Sequence, residues 1–425
     1  MEESAAMEAK LTETLLNMAV PQDGSENPDS DEESTETILQ EYKLWRKNCT
    51  YMYAFVCETA LNWPSLSIQM VKSGTFINKT KDSKFAAVRN LLLTTYSSGE
   101  EEKEYLKIGS IQLPKSLTES MNMTAEELET VDSRLKISKK YEQAVEINKT
   151  RLHPENHLIN ATINANGDVH VYHLDEKMSL VKDYPLLHHK KNGFGLCWDP
   201  VNHNRLLSSS EDGSVALWDY TESTSPLRVF TDHDGYVNDV RFAFEDGIFG
   251  SVGEDQGFVL RDLKNDKVLI NQTFKETSFN SLTFSPFNKH LVAFGGDNST
   301  IYIYDIRQMD TCLHVLTGHI KSITNIEWDP FHPHIIASSS LDRRVILWDL
   351  TKIGEEQTAE EVEDGVPELV MMHGGHTGGV NDFCFSPEIE WCIASCSDDN
   401  IVHIWQPKRD IVDPKDLVID DSLVE

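Results

Sequence analysis

Histidine, serine and aspartate recur at fixed offsets along this 425-residue chain. These are the types that make a base, a nucleophile and an orienting carboxylate. His319 precedes Trp348 by 29 residues, His189 precedes Trp218 by the same step, and so does His376 before Trp405. His233 precedes Arg261 by 28. An aspartate stands six residues before each closing residue: Asp212, Asp255, Asp342 and Asp399. A catalytic triad would occur once, whereas this set repeats, so it reads as a structural network. The Asp accepts backbone N–H bonds in a tight turn, the His donates to it, and a strand Ser or Thr with the Trp indole completes the set. No unique nucleophile–base pair, Gly-rich phosphate loop, HExxH or CxxC is present. Neither catalysis, a cofactor nor a metal is therefore expected.

The elements that must hold such a network are short strands. Between Gly318-His319 and Trp348-Asp349 lie the apolar runs around Ile323–Trp328, Ile335–Ala337 and Val345–Leu347. Asp329-Pro330 and Leu341-Asp342-Arg343 separate them as turns. Closing residues at Tyr172, Trp218, Arg261, Tyr304 and Trp348 follow one another at 46, 43, 43 and 44. That period, with Gly-His and Trp-Asp ends, is the WD-repeat signature of one four-stranded blade per unit. Adding closures near Ile111 and at Trp405 predicts an all-β, seven-bladed WD-repeat β-propeller, with an N-terminal α-helix packed on its side. The unit closing at Tyr304 departs, with Asn298 in the Asp position and no Gly-His.

The net charge of −32 disfavours direct nucleic-acid binding and suits either solubility or a basic partner. Seven scattered cysteines in apolar runs read as reduced core thiols. No apolar run is long enough to span a membrane, and neither a basic n-region nor an apolar h-region opens the chain, so no membrane or secretory role is expected.

Residues 1–33 read as an acidic disordered tail. Ile38, Tyr42, Trp45, Cys49, Met52 and Val56 step at helical intervals, placing the N-terminal helix in 34–62. Leu44, Tyr51 and Phe55 form a second apolar flank, so this helix either packs on all sides or keeps a face for a partner. The propeller is assigned to 63–406. Trp63–Val71 is expected to close the ring by joining the last blade, and Lys115–Arg134 to form an inserted loop. Trp348 to Trp405 spans 57 residues, so about a dozen are extra relative to the repeat period. They fall in an insertion, 353–372, acidic at Glu355–Asp364 and apolar at Leu369–Met372. It reads as a solvated loop or as a rim for a basic amphipathic helix. Residues 407–425 form a tail or short helix placed to wall the same groove.

At these residues the chain resembles the retinoblastoma-binding, MSI-like WD-repeat histone-binding proteins, with Hat-type acetyltransferase subunits and Mis centromere factors the most similar members. The resemblance covers about residues 34–412 and rests on EYKLWRKN at 41–48, ALNWPSL at 60–66, TKIGEEQ at 351–357, EDGVPELVMMHGGHT at 363–377 and SDDNIVHIW at 397–405. It implies a nuclear, non-catalytic histone chaperone or scaffold with a cytoplasmic pool. Such a protein binds histone H4 and H3–H4, and serves chromatin-assembly, acetyltransferase, deacetylase or centromere-loading complexes. Carried over, the H4 groove comprises Tyr51, Met52, Phe55, Val56, Glu361, Asp364, Gly365, Leu369, Met371, Met372 and Ile411. A second, channel-mouth peptide site falls on Glu100, Glu146, Asn148, Asn192, Phe194, Asn238, Asn280, Ser322, Thr324 and Asp398, with several usual acids replaced by Asn or Ser. An alternative is a substrate receptor of a cullin-type ubiquitin ligase, since Tyr304-Asp305-Ile306-Arg307 is similar to the WD-x-Arg adaptor motif.

Overall fold

The computed structural model describes residues 34–72, 86–97, 103–117, 131, 133–245, 247–275, 277–358 and 365–412. The expected acidic tail, most of the Lys115–Arg134 loop, Glu100, Glu361, Asp364 and residues 413–425 lie outside them. The described strands form seven four-stranded antiparallel sheets. The first strands of successive blades contact one another around the centre, and the last contact closes the circle between blade seven and blade one. Neighbouring blades bury each other's faces. Ile163 and Val171 of blade two, for example, pack with Leu196 and Trp198 of blade three. The seven-bladed propeller read from the repeats is what forms.

Ring closure differs from the expectation. Helix α1 spans Thr35–Met52, with Ser34 as its N-cap accepting from the Thr37 amide. It does not run to 62. The chain switches at Tyr53 into strand β1, Tyr53–Ala60, which pairs antiparallel with Ile401–Pro407 as the outermost strand of blade seven. Tyr53-Ala-Phe-Val-Cys is rich in β-branched and aromatic residues, which fit a half-buried strand better than a helix end. The stretch Trp63–Val71 therefore starts blade one and does not close blade seven. Its strand β2, Ile68–Met70, leads to β3, Ala86–Leu93, β4, Glu104–Pro114, and β5, Lys136–Gln143. The apolar end of the insertion is also strand. Leu369–His373 is the outer strand of blade six, bonded to Val345–Asp349.

Candidate functional site

The repeated polar set is built as a relay. Trp348 Nε1 donates to Ser338 Oγ at 2.8 Å, Ser338 Oγ meets His319 Nε2 at 2.8 Å, and His319 Nδ1 meets Asp342 at 2.8 Å. A carboxylate accepts, so Nδ1 carries the proton and the serine hydroxyl donates to Nε2. Blade three repeats this with His189, Ser208 and Trp218, with Ser214 between His189 and Asp212. In blade four Arg261 replaces the Trp and pairs with Asp232 at 2.9 Å. The unit closing at Tyr304 substitutes aromatic packing, with Tyr304 stacked on Phe294 at 5.3 Å and 12°. Each set is enclosed within its blade, which suits a fastening and not a reaction.

Helix α1 is clamped by its inner face. Tyr42 donates to Glu58 of β1 at 2.7 Å, Arg46 pairs with the same carboxylate, and Glu41 accepts from Arg343 and Arg344 at 2.8 and 2.7 Å. Trp45 Nε1 donates to Tyr53 Oη at 3.0 Å, Tyr53 meets His373 Nδ1 at 2.8 Å, and His373 Nε2 meets His403 Nδ1 at 3.0 Å. Burial, helped by neighbouring His376, holds His373 and His403 well below the usual imidazole range. His373, His376 and His403 have the composition of a zinc set, with ligand atoms within 4.8 Å. The rings of His376 and His403 stack at 4.1 Å and 29°, however, so their in-plane lone pairs run side by side and do not converge. The trio acts as a hydrogen-bonded latch under α1.

The groove residues named from the sequence divide. Met52, Val56 and Ile411 are partly buried and pack on one cluster containing Tyr42, Trp45 and Val412. Met371 belongs to it but is 3% exposed, so it is floor and not contact surface. Leu39 and Val370 join the same strip and were not read from the sequence. Val370 falls where the pairing of Leu369–His373 shifts register. Tyr51 is 74% exposed on the outer side of α1, with Leu44 at 60%. Phe55 lies on β1 with its side chain in the seam toward blade one, away from the strip, because strand residues alternate faces. Leu369 and Met372 pack on the blade-five side with Ile353 and Val366. Gly365 has a φ of +121° and its carbonyl accepts from Gln357 at 2.9 Å, which fixes the turn at the end of the insertion.

At the channel mouth, the amides seen in the sequence act as staples between blades. Asn148 donates to the Gly193 carbonyl at 2.7 Å, Asn238 to Phe279 at 3.0 Å, Asn280 to Ile323 at 3.1 Å and Thr324 to Val380 at 2.7 Å. Asn381, missed in the sequence, donates to Ser65 at 3.3 Å. Each is the second residue of an innermost strand. A carboxylate there could not donate to a carbonyl. Asn192 accepts from Asn148, and Ser322 donates to Asp297 at 2.7 Å. Phe194 occupies the staple position of blade three without a polar atom, and Glu146 is partly exposed beside the ring. The acids instead sit one position ahead of the repeated Asp: Glu211, Glu254, Asp297 and Asp398. Their backbone N–H groups make the equivalent bond in each blade, to Asn192, Tyr236, Ser278 and Gly379. Burial raises Asp398, against a bond from Asn381. Deeper on the inner strands the cations are paired, Lys149 and Arg241 with Asp239 and Arg151 with Asp382, each at 3.2 Å. They are engaged below the mouth and leave its acids unpaired with them.

Fold and repeat chemistry together define a WD-repeat propeller carrying an N-terminal helix. WD domain, G-beta repeat profiles match residues 186–219, 270–305, 310–349 and 367–406. A family described as histone-binding protein RBBP4, or its counterpart within the CAF1 complex, matches 40–115, the stretch holding α1, β1 and the first three strands of blade one. Proteins named histone acetyltransferase type B subunit 2 are similar over nearly the whole chain. The one from Debaryomyces hansenii is 42% identical over 407 residues, 92% of this chain and 95% of its own. Those from Candida albicans and Candida glabrata are 40% and 38% identical, covering 92% and 88% of this chain and 98% and 90% of theirs. The chain belongs to the RBBP4-like family of WD-repeat histone-binding proteins. The ligase-receptor alternative is not favoured by these relatives, and Arg307 is already held by Asp305 of its own turn at 2.9 Å.

Proposed function

We propose that this chain is the non-catalytic, histone-binding member of a nuclear histone acetyltransferase complex, and that it grips a helix of histone H4 between α1 and the blade-six insertion. The observation that carries this is the strip Leu39, Met52, Val56, Val370 and Ile411, partly buried and apolar, beside an insertion rich in acids. A basic amphipathic helix would set its apolar stripe on the strip and its Arg and Lys toward Glu361 and Asp364. The acidic arc at the channel mouth supports a second contact for a basic peptide, as in H3–H4. The same grip would serve chromatin-assembly, deacetylase or centromere-loading complexes, and a cytoplasmic pool would meet newly made histones. Calorimetry with a peptide spanning the first helix of H4 tests it. Val370→Asp is expected to weaken binding by about tenfold or more, since a carboxylate would be buried against an apolar stripe. Phe287→Asp, on a distant exposed turn, should leave it unchanged. Equal binding by Val370→Asp would place the contact elsewhere.

A further inference from the structure

Cations are scarce on this chain, 38 Lys and Arg against 70 Asp and Glu, yet three lysines converge at one seam. Where β1 ends at Thr59–Ala60 and the chain turns through Leu61–Trp63, a cavity of about 530 Å³ lies against the β4–β5 hairpin. Lys103, Lys107, Lys140, Trp63 and Tyr105 line it, with Thr95 at its base. The lysines differ in what they already hold. Lys103 is paired with Glu142 at 2.7 Å, and Lys140 reaches over the Tyr105 ring at 5.6 Å. Lys107 is 5% exposed and has no hydrogen-bond or ion-pair partner among the described residues. Burial first, then the charge of Lys140, brings Lys107 down to about 8, with Glu104 opposing. The Thr95 hydroxyl is buried and also lacks a partner among the described residues. Lysines on β5 could serve only to block sheet-edge pairing. That accounts for exposed Lys139, but not for Lys107, which sits on the third strand and points into the cavity. An ammonium so placed is costly unless an anion completes it.

We propose that this seam pocket docks an acidic peptide segment of a partner protein, one carboxylate meeting Lys107 and an apolar or aromatic side chain resting on Trp63 and Tyr105. The cavity is larger than a single carboxylate or phosphate needs, and its walls are partly apolar. The outer edge of β5 beside it pairs with no other described strand and can bond a peptide main chain. A basic histone segment would be repelled here. The pocket and the histone groove thus select opposite charge, and this inference stands apart from the histone reading.

The test uses the full chain and a fluorescein-labelled Asp-Glu-Phe-Asp-Glu-Leu peptide, followed by anisotropy at constant ionic strength. Lys107→Met is expected to weaken binding about tenfold, the loss of one charge-assisted bond, while leaving the melting temperature unchanged or raised. Lys140→Glu, exposed and harmless to folding, is expected to weaken it as well. Unchanged affinity in both variants overturns the proposal. So does a Lys-for-acid version of the peptide binding equally, or inorganic phosphate displacing the probe as well as unlabelled peptide does.

Discussion

Ser338 Oγ is the point through which two buried groups are satisfied at once, the Trp348 indole N–H and the His319 Nε2 lone pair. Trp348 and Ser338 are fully buried, so water cannot replace the hydroxyl. Ser338→Ala is expected to cost about 2–4 kcal/mol, one desolvation penalty for each orphaned group. Adding Trp348→Phe should cost less in that background than alone, because the indole N–H is then no longer stranded. Thermal unfolding of the four proteins of this cycle measures it, and strict additivity would mean that the relay does not act as a unit. This relay was legible because spacing and residue type repeat together. The mouth was read less well. Asn192, Asn238 and Ser322 look like lost acids if one expects acids there, while Glu211, Glu254, Asp297 and Asp398 were hidden in plain view as the residue before each repeated Asp or its Asn298 counterpart. Which of two adjacent polar residues faces the mouth depends on register, which the strand bulges near each staple shift.

The N-terminal helix shows how an element can be right in kind and wrong in extent. Val56 continues the four-residue step from Met52, so periodicity alone carries the helix too far, whereas the backbone changes to strand at Tyr53. The burial of Trp45 was legible; the latch it touches was not, since His373 and His403 lie 30 residues apart on different blades. That latch makes docking of α1 acid-sensitive. His373 and His403 are held neutral, below the ordinary 6.5, amid His376, Arg344, Arg46 and Asp399. The unfolded chain takes up protons below about 6.5 that the folded latch refuses, so the stabilisation is complete above that pH and declines beneath it. The decline reaches up to about 1.4 kcal/mol per pH unit for each ring. Hydrogen exchange, corrected for intrinsic rate, should show residues 35–52 losing protection between about pH 7.5 and about pH 5.5 before the blade cores do. Replacing both histidines by Gln should flatten that dependence, even in a protein that starts less stable. Equal acid sensitivity in that variant would assign the effect to other groups.

A propeller is a ring without a covalent join, and here the join is β1. Cys57, Glu58 and Thr59 pair with Ile404, His403 and Val402, fastening residues more than three hundred positions apart. The same strand places Tyr53 under α1 and Phe55 in the seam with blade one, so helix docking, ring closure and the lysine-lined cavity share one eight-residue element. Without it, blade seven keeps three strands, and the faces of Cys396, Val402 and Ile404 that pack with blade one lose part of their cover. Apolar surface of that kind is worth about 25 cal/mol per Å², and the blade's outer strand would present an unpaired edge as well. A chain beginning at Leu61 is therefore expected to lose its cooperative melt, and to regain it when a peptide of residues 34–60 is supplied in trans. Loss that the peptide cannot repair would mean the segment is needed during folding and not merely as a fastener. A native melt for the shortened chain alone would show that inter-blade packing and the channel-mouth staples close the ring without β1.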